Sequence, residues 1–285
     1  YGEDILFSAT ISHLDYAAVC FVYFLEYETQ RYFEKTVLIP LGTKVKMSTQ
    51  VLETVSFANS ALRIHMSHFD GDTHLSVICP DFDGEHLQAE LTIHHPAADD
   101  SLNVVIPWNR QTFQFTAKHH TLPTTGTVKI GNRRYTFNEE ESYSVLDYGR
   151  GIWPREATWN WGMASQRMRG RRIGLNFGGK WTDGTGMTEN AIFVDGVMTK
   201  IHEDVIFEYD RNNFMKPWTI RSKFSETVDL TFTPFFERVA KTDAKLIRSE
   251  VHQVIGYYNG IVKLENCSLR ISQMMGCVEE HIAKW

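Results

Sequence analysis

The sequence predicts an all-β protein built from antiparallel strands, and three observations support this. Apolar and polar residues alternate with a period of two along most of the 285 residues, as they do in half-buried strands. Aromatic residues make up 13% of the chain and favour strands. Turn-forming pairs recur at roughly 8 to 12 residue intervals, which is typical of barrels and sandwiches.

The first half reads as a meander of strands. The string DILFSATISHL is followed by a hairpin that turns at 28–31, and further turns are predicted at 59–60 and 70–72. The segment HLQAELTIHHP supplies the next strand, and a hairpin turning at 131–132 follows a connecting segment. Two such meanders are compatible with two barrels.

The domain boundary is predicted near residue 125, because Pro123 and Gly126 interrupt the pattern there. We therefore expect an N-terminal domain of residues 1–125 and a C-terminal domain of residues 126–285. In the second half the strands resume, with a hairpin at 195–196, in TWNWGMASQ, RRIGLNFGG, NAIFVDG, VMTKIHEDVIFEY, PWTIRSK, VDLTFTPFFERVAK and KLIRSEVHQVIGYYNGIVKL. Short helical turns are expected at 139–142 and 273–284.

Composition restricts the class of function. A net charge of −6 disfavours a nucleic-acid partner, which would need a basic surface. The arginines around Gly170 favour a solvated hairpin tip over an anion or membrane-surface patch. Four scattered cysteines without C-x-x-C spacing suggest reduced thiols in a cytoplasmic protein. No apolar run has the ~18 to 20 residues of a membrane span, and no signal peptide is visible. Long edge strands could pair with those of a second copy of the chain, so the sequence does not exclude a homodimer.

The stretch 146–190 is the strongest candidate for a binding site. Large rings beside charges of both signs suit a pocket wall, because rings supply contact area and charges supply orientation. The candidate ligand-binding residues are Trp153, Trp159, Trp161, Trp181, Arg150, Asn160, Lys180, Asp183 and Glu189. Alternation along TWNWG places Trp159 and Trp161 on one face and Asn160 on the other. Either the indoles line a cavity or they fill a barrel core.

Four further residues are candidates for acid–base chemistry. The strand LIRSEVHQV places Glu250 and His252 on one face, where Glu250 could orient His252 inside a barrel or simply lie on its outer surface. Glu237 could join them from a neighbouring strand. Asp147 and Arg150 flank Gly149, whose flexibility could bring them together as a structural clasp or as a cavity anchor.

Other chemistries find little support. The adjacent histidine pairs point to opposite faces of a strand, so we predict no metal site. The glycines of GGKWTDGTGMTEN lack the Walker spacing and favour turns at the rim of a barrel. No G-x-S-x-G motif occurs. We predict no cofactor.

Several strings resemble a known family. The strings DILFSATISHLDYAAVCFVYFLEYETQRYFEKT, SLNVVIPW, QFTAKHHTLP, LDYGRGIWP, WNWG, GLNFGGKWTDGTGMTEN, FTPFFERV and EVHQVIG resemble the bacterial family called domain of unknown function 2804. That family is similar, more distantly, to AttH-like proteins of the calycin type. This wider group is similar to carotenoid 1,2-hydratases, tocopherol-cyclase-like proteins, pericyclic cyclases of natural-product pathways and fungal ceramide carriers.

The resemblance implies two lipocalin-like antiparallel β-barrels packed together, with few short helices and an internal cavity for an apolar or amphipathic ligand. Members of the wider group often carry a Trp-Met-Asp-Arg-Glu-Trp string before a Trp-x-Trp. This chain has Asp-Tyr-Gly-Arg at 147–150 and Trp-Asn-Trp at 159–161 instead, so no catalytic residue is transferred.

Three functions follow as hypotheses. The first is binding of a lipid or isoprenoid-like molecule in an aromatic-lined cavity. The second is a cofactor-independent hydratase, isomerase, cyclase or lyase that uses His252, Glu250, Asp147 or Glu237 for proton transfer. The third is a carbohydrate-active protein, which would need two carboxyl groups ~5 to 9.5 Å apart.

Overall fold

The computed structural model describes residues 1–244, 247–265 and 267–284, and the regular elements in these ranges are β-strands. The strands are β1 Ile5–His13, β2 Ala17–Glu26, β3 Tyr32–Pro40, β4 Val45–Lys46, β5 Val55–Ala58, β6 Arg63–Phe69, β7 Asp72–Phe82, β8 Glu85–His94, β9 Leu102–Pro107, β10 Phe113–Ile130, β11 Arg133–Phe137, β12 Tyr143–Ile152, β13 Glu156–Met168, β14 Arg171–Gly179, β15 Asn190–Val194, β16 Val197–Ile201, β17 Val205–Glu208, β18 Trp218–Ser222, β19 Val228–Ala244, β20 Ile247–Lys263 and β21 Ser268–Lys284. The all-β prediction is confirmed.

Alternation in the sequence explains why these segments are strands. In β8, Leu87, Ala89 and Leu91 are buried, whereas the intervening Gln88 and Glu90 are exposed. One face of such a strand therefore packs on a core and the other meets water. The turns predicted between strands fall where β2 joins β3, β5 joins β6, β6 joins β7, β10 joins β11 and β15 joins β16.

The chain groups into two compact units, each made of two segments. Unit 1 contains Tyr1–Ala97 and Leu122–Ser144, and unit 2 contains Ala98–Thr121 and Val145–Trp285. The sequence analysis placed one boundary at residue 125, whereas the chain passes between the units three times. The difference arises because β10 and β12 are long continuous strands that each contribute to both units, and periodicity along a strand does not reveal which neighbours it has.

Unit 1 is built from antiparallel sheets around an apolar core. Strands β1, β2 and β3 form one sheet, and a second sheet runs in the order β11-β10-β8-β7-β6-β5-β4. Apolar side chains from both sheets, including Phe24, Phe57, Phe82 and Leu87, form the core.

Unit 2 contains a nine-stranded antiparallel sheet in the order β16-β15-β14-β13-β21-β20-β19-β18-β17. One face of this sheet, which we call the inner face, surrounds a core that includes Phe177, Trp218 and Tyr258. The other face, called the outer face, carries the candidate site. In the same unit, residues Leu102–Pro107 of β9 pair with residues 113–118 of β10.

The helical turn expected at 273–284 is wrong. Those residues belong to β21, which pairs with β13 on one side and β20 on the other. The glutamates, methionines and alanine of this segment have good helix propensity, but hydrogen bonding to two neighbouring strands overrides it. Residues 139–142 form a turn between β11 and β12.

Among residues 1–244, 247–265 and 267–284, no helix has the length and apolar character needed to cross a lipid bilayer.

Candidate functional site

The two faces of β13 separate the predicted binding residues. Trp159 and Trp161 lie on the outer face opposite His281 and Glu279 of β21, whereas Asn160 lies on the inner face opposite Glu280. The sequence predicted this separation from the period of two. The outer-face residues form one cluster of contacts, and the inner-face residues form another.

Four indole rings pack together on the outer face. Trp153 is central, since its ring centroid lies 5.0 Å from that of Trp108, 5.2 Å from that of Trp159 and 5.6 Å from that of Trp181. Tilted contacts at these spacings are favourable for aromatic pairs. Apolar residues of β9, β15 and β16 support the rings. Most of these rings are half-buried, so the cluster reaches the surface.

Lys118 of β10 brings charge into this aromatic environment. Its side chain is only 7% exposed, and its Nζ lies 2.7 Å from Asp147 Oδ2 and 3.2 Å from Glu189 Oε1. The same ammonium lies 4.2 Å from the ring centroid of Trp161, a favourable cation–π distance. Burial favours loss of the proton, but the two carboxyl groups outweigh it and raise the pKa of Lys118. The lysine is therefore protonated.

Two buried carboxyl groups receive hydrogen bonds from the indoles. Trp181 Nε1 donates to Glu189 Oε2 at 3.1 Å, and Trp159 Nε1 donates to Glu279 Oε1 at 2.9 Å. Gln253 Nε2 also donates to Glu279, at 3.2 Å. Burial raises the pKa of both glutamates despite these hydrogen bonds and the charge of Lys118. The two carboxyl groups that Lys118 contacts thus differ in environment, since the side chain of Asp147 is 46% exposed and that of Glu189 is 4% exposed.

Gly178 leaves room for Glu189. A Cβ at residue 178 would lie 2.5 Å from Glu189 Oε2 and 2.9 Å from Glu189 Cβ. These distances are too short for non-bonded atoms. Gly178, which the sequence analysis assigned to a turn, therefore lets a carboxyl group pack directly against the strand.

An amide links two further side chains to this group. Asn176 Oδ1 accepts a hydrogen bond from Trp161 Nε1 at 2.9 Å and lies 3.0 Å from His120 Nε2. Asn176 Nδ2 donates to the backbone carbonyl of Glu189. Burial lowers the pKa of His120 to about 3, so this imidazole is neutral. Burial likewise lowers the pKa of His281 to about 3. The imidazole ring of His281 packs on Trp159, with 3.9 Å between the ring centroids.

We call the outer-face group the tryptophan site. It comprises Trp108, Trp153, Trp159, Trp161, Trp181, Lys118, Asp147, Glu189 and Glu279, all of which belong to unit 2. The site combines aromatic rings, the buried ammonium of Lys118, two buried carboxyl groups and one partly exposed carboxyl group. Such a group can bind an apolar molecule that has a polar end, and it can donate a proton.

Lys180 and Asn160 belong to a different group on the inner face. Lys180 Nζ lies 2.6 Å from Tyr209 Oη and 2.8 Å from Glu280 Oε2, and Asn160 Nδ2 donates to the Tyr209 hydroxyl at 3.1 Å. A second cation, Arg211, also neutralises the buried Glu280, with its Nη2 2.8 Å from Glu280 Oε2. A shallow depression of about 380 Å³ borders this group.

His252, Glu250 and Glu237 also lie away from the tryptophan site. His252 is the register partner of Glu280, which places it on the inner face. Its Nδ1 lies 2.6 Å from Glu237 and its Nε2 lies 3.1 Å from Glu250, while its ring stacks on Phe214 at 4.1 Å. The candidate acid–base residues therefore do not form one group, because Asp147 contacts Lys118 at the tryptophan site. The alternation of side chains along β20 and β21 places His252 on the inner face and Glu279 on the outer face of the sheet.

Arg150 and Asp183 are exposed. Asp147 meets Lys118 instead of forming the expected pair with Arg150, because β12 continues as a strand through Gly149 and residues three apart in a strand point to opposite faces. Asp183 accepts a hydrogen bond from the backbone N–H of Lys180 at 2.8 Å and so closes a turn.

Sequence reasoning missed Lys118, Glu279 and Trp108. Polar residues stand at every second position along β10 at Gln114, Thr116, Lys118 and His120, but only the structure shows that all four are buried. Four polar residues at a period of two would ordinarily indicate a solvent-facing strand. The signal for Glu279 was weaker, since Glu280 follows it directly and the two point to opposite faces.

The fold defines a class, a protein of two lipocalin-like β units. The chain belongs to the family described as Domain of unknown function (DUF2804), whose model matches residues 1–285. The resemblance seen in the sequence is confirmed.

Two solved structures share the fold at 9% identity. The chain is similar to a protein described as a "putative AttH" (NE1406) from Nitrosomonas europaea, with a TM-score of 0.58 over 98% of this chain and 86% of that chain. It is also similar to kievitone hydratase from Nectria haematococca, with a TM-score of 0.53 over 99% of this chain and 84% of that one. No curated protein sequence matches the chain.

Proposed function

We propose that unit 2 binds a small apolar or amphipathic molecule at the tryptophan site. The observation that carries the proposal is the burial of Lys118 beside four packed indoles, with Asp147 at the exposed end of the ion pair. Three of the four rings are half-buried and keep part of their apolar surface open to a ligand, and the Lys118–Asp147 pair offers a donor and an acceptor that can orient a polar end. A lipid or isoprenoid-like compound has this chemistry.

The energetic argument supports binding over a purely structural role. Burying a lysine among aromatic rings costs free energy that well-packed apolar residues would not. A chain that needed only a stable fold could have filled the space with leucine or phenylalanine. Similarly, the raised pKa of two neighbouring carboxyl groups is more typical of functional sites than of cores.

Binding is tested with the purified full chain and a lipid extract of cells. Native mass spectrometry identifies what is retained, and tryptophan fluorescence gives the dissociation constant for each retained compound. Trp153→Leu removes the central ring without leaving a hydrogen-bond partner unpaired, and we expect affinity to fall at least tenfold. Phe224→Leu, at a residue 81% exposed, is the matched control and should bind normally. Equal binding by both variants would exclude this site.

One observation favours catalysis as a second candidate function. Glu279 is a buried carboxyl group whose pKa is raised, and Trp159 and Gln253 fix its orientation. A carboxylic acid that retains its proton can serve as a general acid in a hydration, isomerisation or elimination without any cofactor. Adjacent indole faces would stabilise a developing positive charge by about 1 to 2 kcal/mol per ring.

Solvent exchange separates catalysis from binding. A retained compound is incubated with the protein in D₂O, and deuterium incorporation is followed by mass spectrometry. Glu279→Gln preserves the acceptor for Trp159 but removes the acid. We expect exchange to stop while affinity changes less than about threefold. Retained exchange in this variant would remove Glu279 from the mechanism.

The carbohydrate hypothesis gains no support from the site. Asp147 and Glu189 are close together, but the ammonium of Lys118 lies between them and bonds to both. A glycosidase needs the space between its two carboxyl groups for the sugar and water.

A further inference from the structure

A second depression in unit 2 surrounds a lysine in an unusual environment. It has a volume of about 300 Å³ and is lined by Asn103, Val104, Val105, Gly186, Met187, Thr188, Lys200 and His202. This volume lies at the lower end of the range for small-molecule sites. Val104 and Met187 give it apolar walls, and Lys200 is the amine that borders it.

Lys200 differs from other lysines in its hydrogen-bond partner. Lys118 and Lys180 each form an ion pair with a carboxylate, which compensates for the loss of contact with bulk water. Lys200, although half-buried, donates instead to the backbone carbonyl of Thr188. A neutral carbonyl stabilises an ammonium less than a carboxylate does, and apolar walls disfavour the charge further.

The charges around Lys200 do not restore the preference for the protonated ammonium form. Burial lowers the pKa of Lys200 to about 8, with Glu189 acting in the opposite direction. Glu189 itself is engaged by Lys118 and Trp181. His202 is the other titratable residue that lines the depression. On the neighbouring segments, Asp99 pairs with Arg172, Asp100 accepts the backbone N–H of Met198, and Asp183 accepts the backbone N–H of Lys180.

We infer that Lys200 is a nucleophilic amine that forms an imine with a small aliphatic aldehyde or ketone held in this depression. The neutral Nζ attacks the carbonyl carbon, and one proton passes from the nitrogen to the carbonyl oxygen as the C–N bond forms and the C=O π bond breaks. The hydroxyl group of this carbinolamine then leaves with the second N–H proton as water to give the imine, so no oxidant or reductant is required. Val104 and Met187 contact the alkyl chain of the substrate.

Reductive trapping tests the inference on the full chain. Hexanal and sodium cyanoborohydride convert each imine into a stable alkylated lysine, and peptide mapping by mass spectrometry reports the rate at each lysine. At pH 7.5 we expect Lys200 to be labelled at least tenfold faster than the exposed Lys44, because a larger fraction of its amine is neutral. At pH 10 this ratio should shrink, because the exposed amines also lose their protons.

Two variants and a second probe complete the test. Lys200→Arg keeps the charge and should remove the fast-labelled peptide without changing the others. Met187→Ser should slow labelling by hexanal several-fold and leave labelling by formaldehyde, which has no chain, unchanged. Labelling of Lys200 no faster than that of Lys44 at pH 7.5 would overturn the inference, as would an equal effect of Met187→Ser on both aldehydes. Loss of ligand binding at the tryptophan site would leave these results unchanged, so the two proposals fail separately.

Discussion

Units 1 and 2 share a type of fold but differ in what they bury. Among the described residues, the buried polar side chains of unit 1 are Thr73, Thr124 and Ser142, none of which is charged. Unit 2 buries Lys118, Glu189, Arg238, Glu279 and Glu280 in addition to its apolar core. A lipocalin-like unit therefore does not need buried charge to fold.

This difference is the reason why the binding site is proposed in unit 2. Buried charges cost stability unless they are paired, and proteins keep such costly features mainly at functional sites. The apolar interior of unit 1 serves as an internal reference for the fold alone. Four measurements of stability follow from the comparison, each of which can contradict it.

The largest expected effect comes from Lys118→Met. Removing the ammonium leaves Glu189 buried without its cation, so we expect the free energy of unfolding to fall by about 3 kcal/mol or more. Urea denaturation of the full chain measures it. The double variant Lys118→Met with Glu189→Gln should regain much of the loss. A change below about 1 kcal/mol in the single variant would mean that the pair adds little to stability.

Gly178→Ala should have the next largest effect. The added methyl group overlaps Glu189, whose carboxyl group is held by both Lys118 and Trp181, and overpacking of this kind costs about 1 to 3 kcal/mol. Thermal unfolding measures the loss. In a chain that already carries Glu189→Gly, which removes both Glu189 atoms that the methyl group would touch, Gly178→Ala should cost much less. An equal cost in both chains would show that the strain lies elsewhere.

The pH dependence of stability should reveal the neutral His120. The unfolded imidazole has a pKa of 6.5 and the folded one a pKa of about 3, so the unfolded state takes up a proton first as the pH falls. His120 therefore stabilises the fold fully above pH 6.5. That contribution is lost between pH 6.5 and 3, at on the order of 1 kcal/mol per pH unit.

The variant His120→Asn isolates this contribution. Its stability should fall less steeply with acid than that of the unmodified chain, whereas the two slopes should coincide between pH 7.5 and 9. Identical slopes below pH 6 would show that His120 is protonated in the fold.

The smallest effect is expected in unit 1. Lys35 lies 3.6 Å from Asp81 on the surface, and both side chains contact solvent. Lys35→Met should change the free energy of unfolding by less than about 1 kcal/mol, since exposed ion pairs contribute little. Measured beside Lys118→Met by the same urea titration, this pair of variants compares surface charge with buried charge. Equal losses would remove the distinction between the two units.

Local features of the fold could be predicted, because short-range geometry determines them. The hairpin turns at 131–132 and 195–196 follow from residues that tolerate positive φ, and Gly131 and Asp195 have φ of 56° and 51°. The opposite orientations of Trp159 and Asn160 follow from the strand period alone. The prediction for 273–284 failed because pairing with β13 and β20 outweighed helix propensity.

The candidate site could be predicted only in part. The sequence determined the strands, the aromatic stretch that supplies Trp153, Trp159, Trp161 and Trp181, and the family. Only the tertiary structure decided that Lys118 reaches Asp147 and Glu189, and that His252 lies on the opposite face of the sheet. The physical reason is that alternation along a strand assigns a residue to one of two faces, whereas packing between strands distant in the chain decides which face is buried and which charges meet there.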